Sequence, residues 1–427
     1  MIGAQANYAY RFSIDGHKLK VIVTDGFYME PIKTDYLIIN SGERYDFVLE
    51  TSQQRIDHFL IRAETLEVNC KDFGRDTEDK NNDAIAVLTY GKTEPNKRII
   101  EREYQNKNPR NCNVNNECYV VNCPFDDYRS RYSPGYKCIN VDSFTLLTPT
   151  PKKELPEWIS DNKTVGYIRF FNFGFDSDEV TSTVNGRNFI LPNISLQTAS
   201  KRAKAEIKDQ VCANTSFPCT GKECQCTQII EIGQQYYKKP IRFVFASLGM
   251  KANTKLSHPV HLHGHSFHVV KVGYGKYDEN GTLIAATPDL KCKEPCKQAP
   301  KWSTAKGPVD IKITNRTIRK DTVIVPSGGY VVIDFIADNP GYWFLHCHIE
   351  PHQLEGMALV INEVEKYHNP PPKDMATCNS FTWTVKQFKS KRAYKFSTAA
   401  KVTGLSVVAI ILITCGGFIF LFIIDMI

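Results

Sequence analysis

Residues 258–268 read HPVHLHGHSFH, and residues 346–357 read HCHIEPHQLEGM. Eight of the 11 histidines fall in these two stretches, leaving only His17, His58 and His368 elsewhere. A single histidine is most often a satisfied core or surface residue. Eight crowded together are not explained that way, because burying imidazoles without a partner sacrifices hydration, and neutral imidazole is a common metal ligand. Besides His346, His348 and His352, the second stretch carries Cys347 and Met357. Imidazoles with one thiolate and one weak thioether match a one-electron copper site of two His, one Cys and a distant axial Met. Cys347, His352 and Met357 supply three of these ligands, and the second His must come from residues 258–268. Zinc would take more thiolates or a carboxylate, and a thioether serves it poorly.

Strand geometry adds a second site. In an extended HCH, side chains alternate faces, so His346 and His348 point away from Cys347. One strand can then hold a thiolate on one metal and two imidazoles on others, a few covalent bonds apart. The same alternation puts His261 and His263 on a common face. Glu350 continues the 346/348 face unless Pro351 bends the strand first, and a carboxylate there could deliver protons. Its alternative is an ordinary exposed glutamate.

Outward from these motifs the chain reads as strands. Alternating apolar and polar residues run through YAYRFSID, LKVIVTDGFYMEPIK and DYLIINSGERYDFVLE in residues 8–50, then HFLIRAET and DAIAVLTYG in 55–92. Strands resume in 165–200 and are long from residue 240 onward. No long helix is expected before the C-terminus. Residues 95–150 are Pro-, Asn- and Cys-rich with little periodicity. The chain has 427 residues, 42% hydrophobic and 23% charged, with 25 Gly and 22 Pro breaking up plentiful β-formers. This predicts an all-β protein of two or three domains and excludes disordered or collagen-like classes. A net charge of +7 from 53 basic and 46 acidic residues is a poor nucleic-acid signature, and no RNA-binding motif is present.

Of the 14 cysteines, Cys347 lies between histidines and Cys415 in an apolar run; the other twelve form an even set, as disulfides would. The close pairs Cys292/Cys296 and Cys224/Cys226 leave zinc as the alternative. Sequons at Asn162, Asn193, Asn214, Asn280 and Asn315 point with the cysteines to an oxidising, lumenal or extracellular compartment. Residues 402–424 carry no charge over a length that spans a bilayer, which predicts a transmembrane helix after a 373–401 stalk. The upstream lysines argue for the opposite orientation. Large domains translocate regardless of flanking charge, so the expectation is a plasma-membrane protein with its domains outside. A removed lipid-anchor signal is the alternative. No signal peptide is visible after Met1, and a chain needing secretion without one is expected to be incomplete.

The two copper-type motifs, in order and spacing, resemble the last two copper motifs of multicopper oxidases. YRFSIDGHKLKVIVTDGFYMEPIKTDYLIINSGERYDFVLE resembles the later half of that family's middle domain, and VVNCPF, CINVD and CQCTQ resemble pieces of insect-type laccase-like members. The resemblance covers about residues 5–365. It implies cupredoxin-like Greek-key β-sandwich domains: the later part of a middle domain over 1–95, a Cys-rich connector over 96–150 and a C-terminal domain over 151–372. It implies four coppers in the complete enzyme. His258, Cys347, His352 and Met357 would hold a type 1 copper. His261 would hold the type 2 copper, His263, His346 and His348 the type 3 pair, and Glu350 occupies a proton-delivery position. His265 and His268 have no implied ligand role, and packing is expected for them. The family's cluster also needs four histidines from two H-x-H motifs of a first domain, and none of His17, His58 or His368 forms such a pair. The expectation is therefore part of a larger oxidase that couples one-electron oxidation to reduction of O2 to water. Its donors would be diphenols or aromatic amines, as in laccases, or Fe(II), as in ferroxidases, for which Glu355 lies near His352. A methionine at the axial position leans slightly against the most oxidising laccases. The alternative class is a one-copper surface protein without oxygen chemistry.

Overall fold

The computed structural model describes residues 1–370, apart from 52–57, 67–82, 91–95, 107–108, 125–134, 157–166, 176–180, 193, 199–204, 206, 213–223, 249–256, 279–282, 294–295, 306 and 309, together with 409–415 and 418–424. Strands dominate the described residues, as the alternation in the sequence anticipates. The first unit pairs a six-stranded sheet with a three-stranded one. The larger runs in spatial order Ala84–Thr89, His58–Leu66, Ala9–Ile14, Tyr36–Ile39, Cys118–Val121, Tyr136–Ile139. The smaller is Phe27–Thr34, Leu19–Thr24, Tyr45–Leu49. Within Leu19–Thr24 the side chains of Leu19, Val21 and Val23 are buried while Lys20 and Ile22 are less so, the period of two that a half-buried strand requires. Two strands of the cysteine-rich 96–150 stretch belong to the larger sheet, and a helix, Lys97–Gln105, precedes them. The helix begins at Asn96, whose side chain accepts the Arg98 N–H.

The second unit carries the two histidine stretches on a five-stranded sheet. Its order is Ile229–Ile232, Ala358–Glu363, Gly341–Cys347, His258–Leu262, Thr322–Val325. A six-stranded sheet accompanies it: Ser182–Val184, Tyr167–Phe175, Pro240–Ala246, Tyr330–Ile336, Phe267–Gly273, Arg319–Lys320. Residues of both sheets share one core, with Phe171, Phe243, Phe245 and Phe335 from one and Val260, Leu345 and Leu359 from the other. Ring pairs lock it, Phe171–Phe243 at 4.9 Å and Phe243–Phe335 at 5.2 Å between centroids. Each fully buried phenylalanine contributes roughly 1.5–3 kcal/mol. The alternate residues Val244 and Ala246 face a second cluster with Leu290, Val332 and Tyr330, so this strand is buried on both faces.

The units meet along an ionic seam. Lys320 Nζ lies 3.2 Å from Asp25 and 3.5 Å from Glu43, and all three side chains are fully buried. Beside them Arg44 grips Asp321 with two 2.5 Å hydrogen bonds.

Two differences from the sequence reading stand out. In place of a helix over 402–424, Ala409–Cys415 and Phe418–Ile424 are antiparallel strands in register from Ala409↔Ile424 to Cys415↔Phe418. The run is rich in Ile and Phe, and Gly416-Gly417 is a favoured two-residue hairpin dipeptide. No helix among the described residues is long and apolar enough to cross a membrane; residues 373–401 and 402–408 lie outside them. Second, the strand bearing HCH ends at Cys347, and Glu350 opens a short helix, Glu350–Leu354, with Pro351 in its first turn. The close cysteines are in disulfides, as the even set of cysteines anticipates, and not in zinc sites: Cys112–Cys118, Cys123–Cys138, Cys212–Cys226 and Cys292–Cys296. Cys224 is disulfide-bonded too. Cys70, Cys219 and Cys378 lie outside the described residues, as do four sequons; Asn315 is exposed.

Candidate metal centre

Register builds the site. His258–Leu262 and Gly341–Cys347 are antiparallel neighbours with Val260 opposite Cys347 and His261 opposite His346. Cys347 and His258 are therefore diagonal neighbours on one face, while His261 and His346 face the other. A backbone loop then returns His352: Cys347 N–H donates to the Met357 carbonyl (3.0 Å), and Met357 N–H donates to the His352 carbonyl (2.9 Å). Cys347 Sγ ends 3.7 Å from Nδ1 of His258 and 3.7 Å from Nδ1 of His352. Trigonal bonds of about 2.3 Å to sulfur and about 2.0 Å to nitrogen would separate those atoms by about 3.7 Å. The trio fits one ion in the trigonal His2Cys arrangement typical of electron-transfer copper. Met357 is fully buried, and Cys347 is a free, buried cysteine.

Protonation is set by burial. Burial pushes the Cys347 thiol up to about 12, so the metal-free group stays a thiol and a bound cation must displace its proton. Burial holds His352 down at about 4. Burial and the neighbouring His352 hold His258 well below the ordinary range. Both imidazoles are neutral at pH 7 and available as ligands. Phe175 packs edge-on against His352, 5.1 Å between centroids, and lies 5.9 Å from His258. Sequence periodicity did not single out Phe175.

On the opposite face four imidazoles gather. Ring centroids separate His261 and His263 by 4.6 Å, His263 and His346 by 5.3 Å, His346 and His348 by 5.5 Å and His261 and His348 by 6.0 Å. His263 Nε2 lies 3.2 Å from His346 Nε2, close to the roughly 3.3 Å expected for two nitrogens on one tetrahedral ion. Burial, then the neighbouring imidazoles, holds His263 at about 4; burial with those neighbours also holds His346 at about 3. His346 Nδ1 donates to the Cys347 carbonyl (2.8 Å), which adds a hydrogen-bonded bridge to the covalent link between the two groups. His261 Nδ1 donates to the Asp321 carbonyl (2.8 Å), leaving its Nε2 free. Burial would raise the Asp321 carboxyl, but the Arg44 guanidinium and His261 hold it well below the usual range.

The remaining candidates fall elsewhere. Glu350 is exposed, and its backbone N–H donates to Ala6. His265 pairs with fully buried Glu363 at 2.6 Å, and His268 bonds the Thr317 carbonyl. The Glu355 carboxylate accepts from Ser182 Oγ at 3.0 Å. Sequence reasoning missed Ser41 and Gly42, which abut His348; their only signal was the turn dipeptide inside NSGERYD.

Two models described as multicopper oxidase match the chain, over residues 1–93 and 195–367. Laccase-4 of Arabidopsis thaliana is 24% identical over 405 residues, and Laccase-6 of Oryza sativa subsp. japonica is 26% identical over 405. Each alignment covers 88% of this chain but 60% and 61% of those relatives, so the chain spans about three fifths of their length. Among solved structures, Fet3p, a multicopper oxidase that functions in iron import, aligns with TM-score 0.53 and 17% identity, over 92% of this chain and 58% of that one. A laccase from Botrytis aclada aligns with TM-score 0.51 and 20% identity, over 86% and 51%. At these identities the structures establish a shared all-β cupredoxin-like fold. Family models, relatives and fold agree: the chain belongs to the multicopper oxidases, a family of copper-dependent oxidoreductases that use a type 1 copper and a trinuclear cluster.

Proposed function

We propose that the chain forms the donor-oxidising half of a laccase-like oxidase, with His258, Cys347, His352 and Met357 holding a type 1 copper. His261 would take the type 2 copper, and His263, His346 and His348 the type 3 pair. The supporting observation is the Cys347 sulfur flanked by two Nδ1 atoms at 3.7 Å, on a strand whose other face carries the imidazole group. Bound there, copper would supply one-electron redox chemistry and, with the cluster complete, reduction of O2. The chain's own residues hold the donor side in place. Neutral His258 and His352 ligate, Phe175 shields their rings, and the Cys347 carbonyl links the thiolate residue to His346. Completion of the cluster requires two further H-x-H pairs. Glu350, exposed at the start of its helix, is proposed as the proton entry.

Aromatic donors suit the surroundings of His352. Leu354 in the same helix is 75% exposed. Asn188 and Phe189 hydrogen-bond residues 355 and 356, and the exposed Leu191 follows two residues after Phe189. Glu355, the carboxylate an Fe(II) donor would use, already accepts from Ser182. Fe(II) oxidation is the second reading, since among the described residues Ser182 is the one side chain that bonds the Glu355 carboxylate and it takes a single oxygen. The disulfides and the exposed sequon Asn315 support a secretory, extracellular location. The test is copper loading of the full chain, read by stoichiometry and visible absorption. One strongly coloured copper per chain is expected, bleached by a diphenol. A copper-loaded chain with no thiolate absorption overturns the proposal.

A further inference from the structure

We propose that Ser41 is a positioning residue that fixes the tautomer of His348, so that its Nε2 lone pair is the one offered to metal. This rests on the reading of His348 as a copper ligand. A count of protons carries the argument. Ser41 Oγ lies 2.5 Å from the Gln5 carbonyl oxygen and 3.1 Å from His348 Nδ1. A carbonyl only accepts, and a hydroxyl has one proton. That proton goes to Gln5, so Oγ accepts from His348, and Nδ1 carries the ring hydrogen. Nε2 is left bare.

The arrangement is rigid and dry. Ser41 is 2% exposed, so water does not stand in for its hydroxyl. Gln5 is anchored by its own Nε2, which donates to the Ile39 carbonyl at 3.0 Å. Gly42 floors the ring: it has φ of +84°, and a Cβ there would lie 2.5 Å from His348 Cδ2. His348 differs from its neighbours in the source of this control. Nδ1 of His261 and of His346 each donate to a backbone carbonyl of their own unit, whereas His348 depends on a side chain of the first unit. An outer hydrogen bond of this kind sets which nitrogen of a ligating histidine meets the metal.

The test uses the full chain, metal-free, with 15N-labelled histidine, in which ring nitrogen shifts distinguish the two tautomers. His348 is expected as the Nδ1–H form in the parent chain. Ser41→Ala should convert it to a mixture or to the Nε2–H form. Ser41→Thr, which keeps a hydroxyl, should restore the parent pattern, and the His261 and His346 signals should stay put in all three. Gly42→Ala gives a second route, because it displaces the ring while leaving Ser41 in place. An unchanged His348 pattern in Ser41→Ala overturns the proposal. Titration with Cu(I) then separates the two claims. If the ring is a ligand, its resonances shift and Ser41→Ala weakens that binding roughly tenfold or more. If Cu(I) leaves His348 unmoved in the parent chain, the ligand reading fails while the tautomer result stands.

Discussion

Replacing Lys320 by Met removes the only cation shared by Asp25 and Glu43 among the described residues. The two carboxylates stay where they are, fully buried, with their charges uncompensated by that amine. Breaking a buried ion pair from one side costs about 3–5 kcal/mol. Partners that remain soften the loss. Glu43 still accepts from Asn40 N (3.0 Å), Asn40 Nδ2 (2.8 Å) and Asn122 Nδ2 (2.7 Å). Asp25 still accepts the Arg44 backbone N–H at 2.9 Å and has its guanidinium at 3.5 Å. The expected destabilisation therefore sits at the low end, about 3 kcal/mol at pH 7. Its pH dependence is specific. Burial already raises the Glu43 carboxyl despite Lys320, and without the amine it rises further. A carboxyl raised in the folded state binds its proton more readily there than in the unfolded chain. Folding is then most favoured below the unfolded value, about 4.3, and less so as pH climbs through the folded value. The deficit of Lys320→Met should shrink between pH 7 and pH 5. Urea unfolding of the full chain, followed by far-UV circular dichroism, measures it. A deficit under about 1 kcal/mol at pH 7, or one that acidification leaves unchanged, refutes the reasoning.

Cys347→Ser should abolish the thiolate-to-copper colour while leaving the metal-free fold within about 1 kcal/mol of the parent, checked by visible spectra and denaturation. Neutral His263, His346 and His352, held near 4, 3 and 4 by burial, predict that the metal-free chain loses stability as pH falls from about 6.5 toward those values; thermal melts from pH 7 to pH 4 read this, and a flat profile contradicts it. Copper should stay bound below the ordinary histidine range for the same reason, as equilibrium dialysis at pH 5 would show. Glu350→Gln in a complete, four-copper assembly should slow O2 reduction without altering bleaching of the type 1 colour by donor in stopped flow. Equal slowing of both would remove Glu350 from proton delivery.

The gathering of His258 and His352 around Cys347 was legible because strand alternation is local. Once HCH is read as a strand, Cys347 and its flanking histidines must part to opposite faces, and the register with residues 258–262 follows that division. Glu350 was less legible, since whether Pro351 ends a strand or opens a helix depends on the turn around it. The terminal run was ambiguous because a long apolar stretch suits a membrane helix and a β-rich hairpin alike. Ser41, Arg44 and Asp321 escaped because their work depends on long-range contact. Arg44 and Asp321 are 277 positions apart, and no periodicity links them. The Cys-rich stretch gave no strand rhythm, yet Cys118–Val121 and Tyr136–Ile139 complete the edge of the first sheet.

The ionic seam limits how this molecule can be cut and recombined. Family matching divides it near residues 93 and 195, which invites swapping the two pieces between relatives. Lys320 without Asp25 and Glu43 would be an orphaned amine, and His348 without Ser41 would lose its tautomer control. A working chimera therefore has to inherit Asp25 and residues 40–45 together with residues 320–322 and His348 as one matched set, whatever breakpoint the linker suggests.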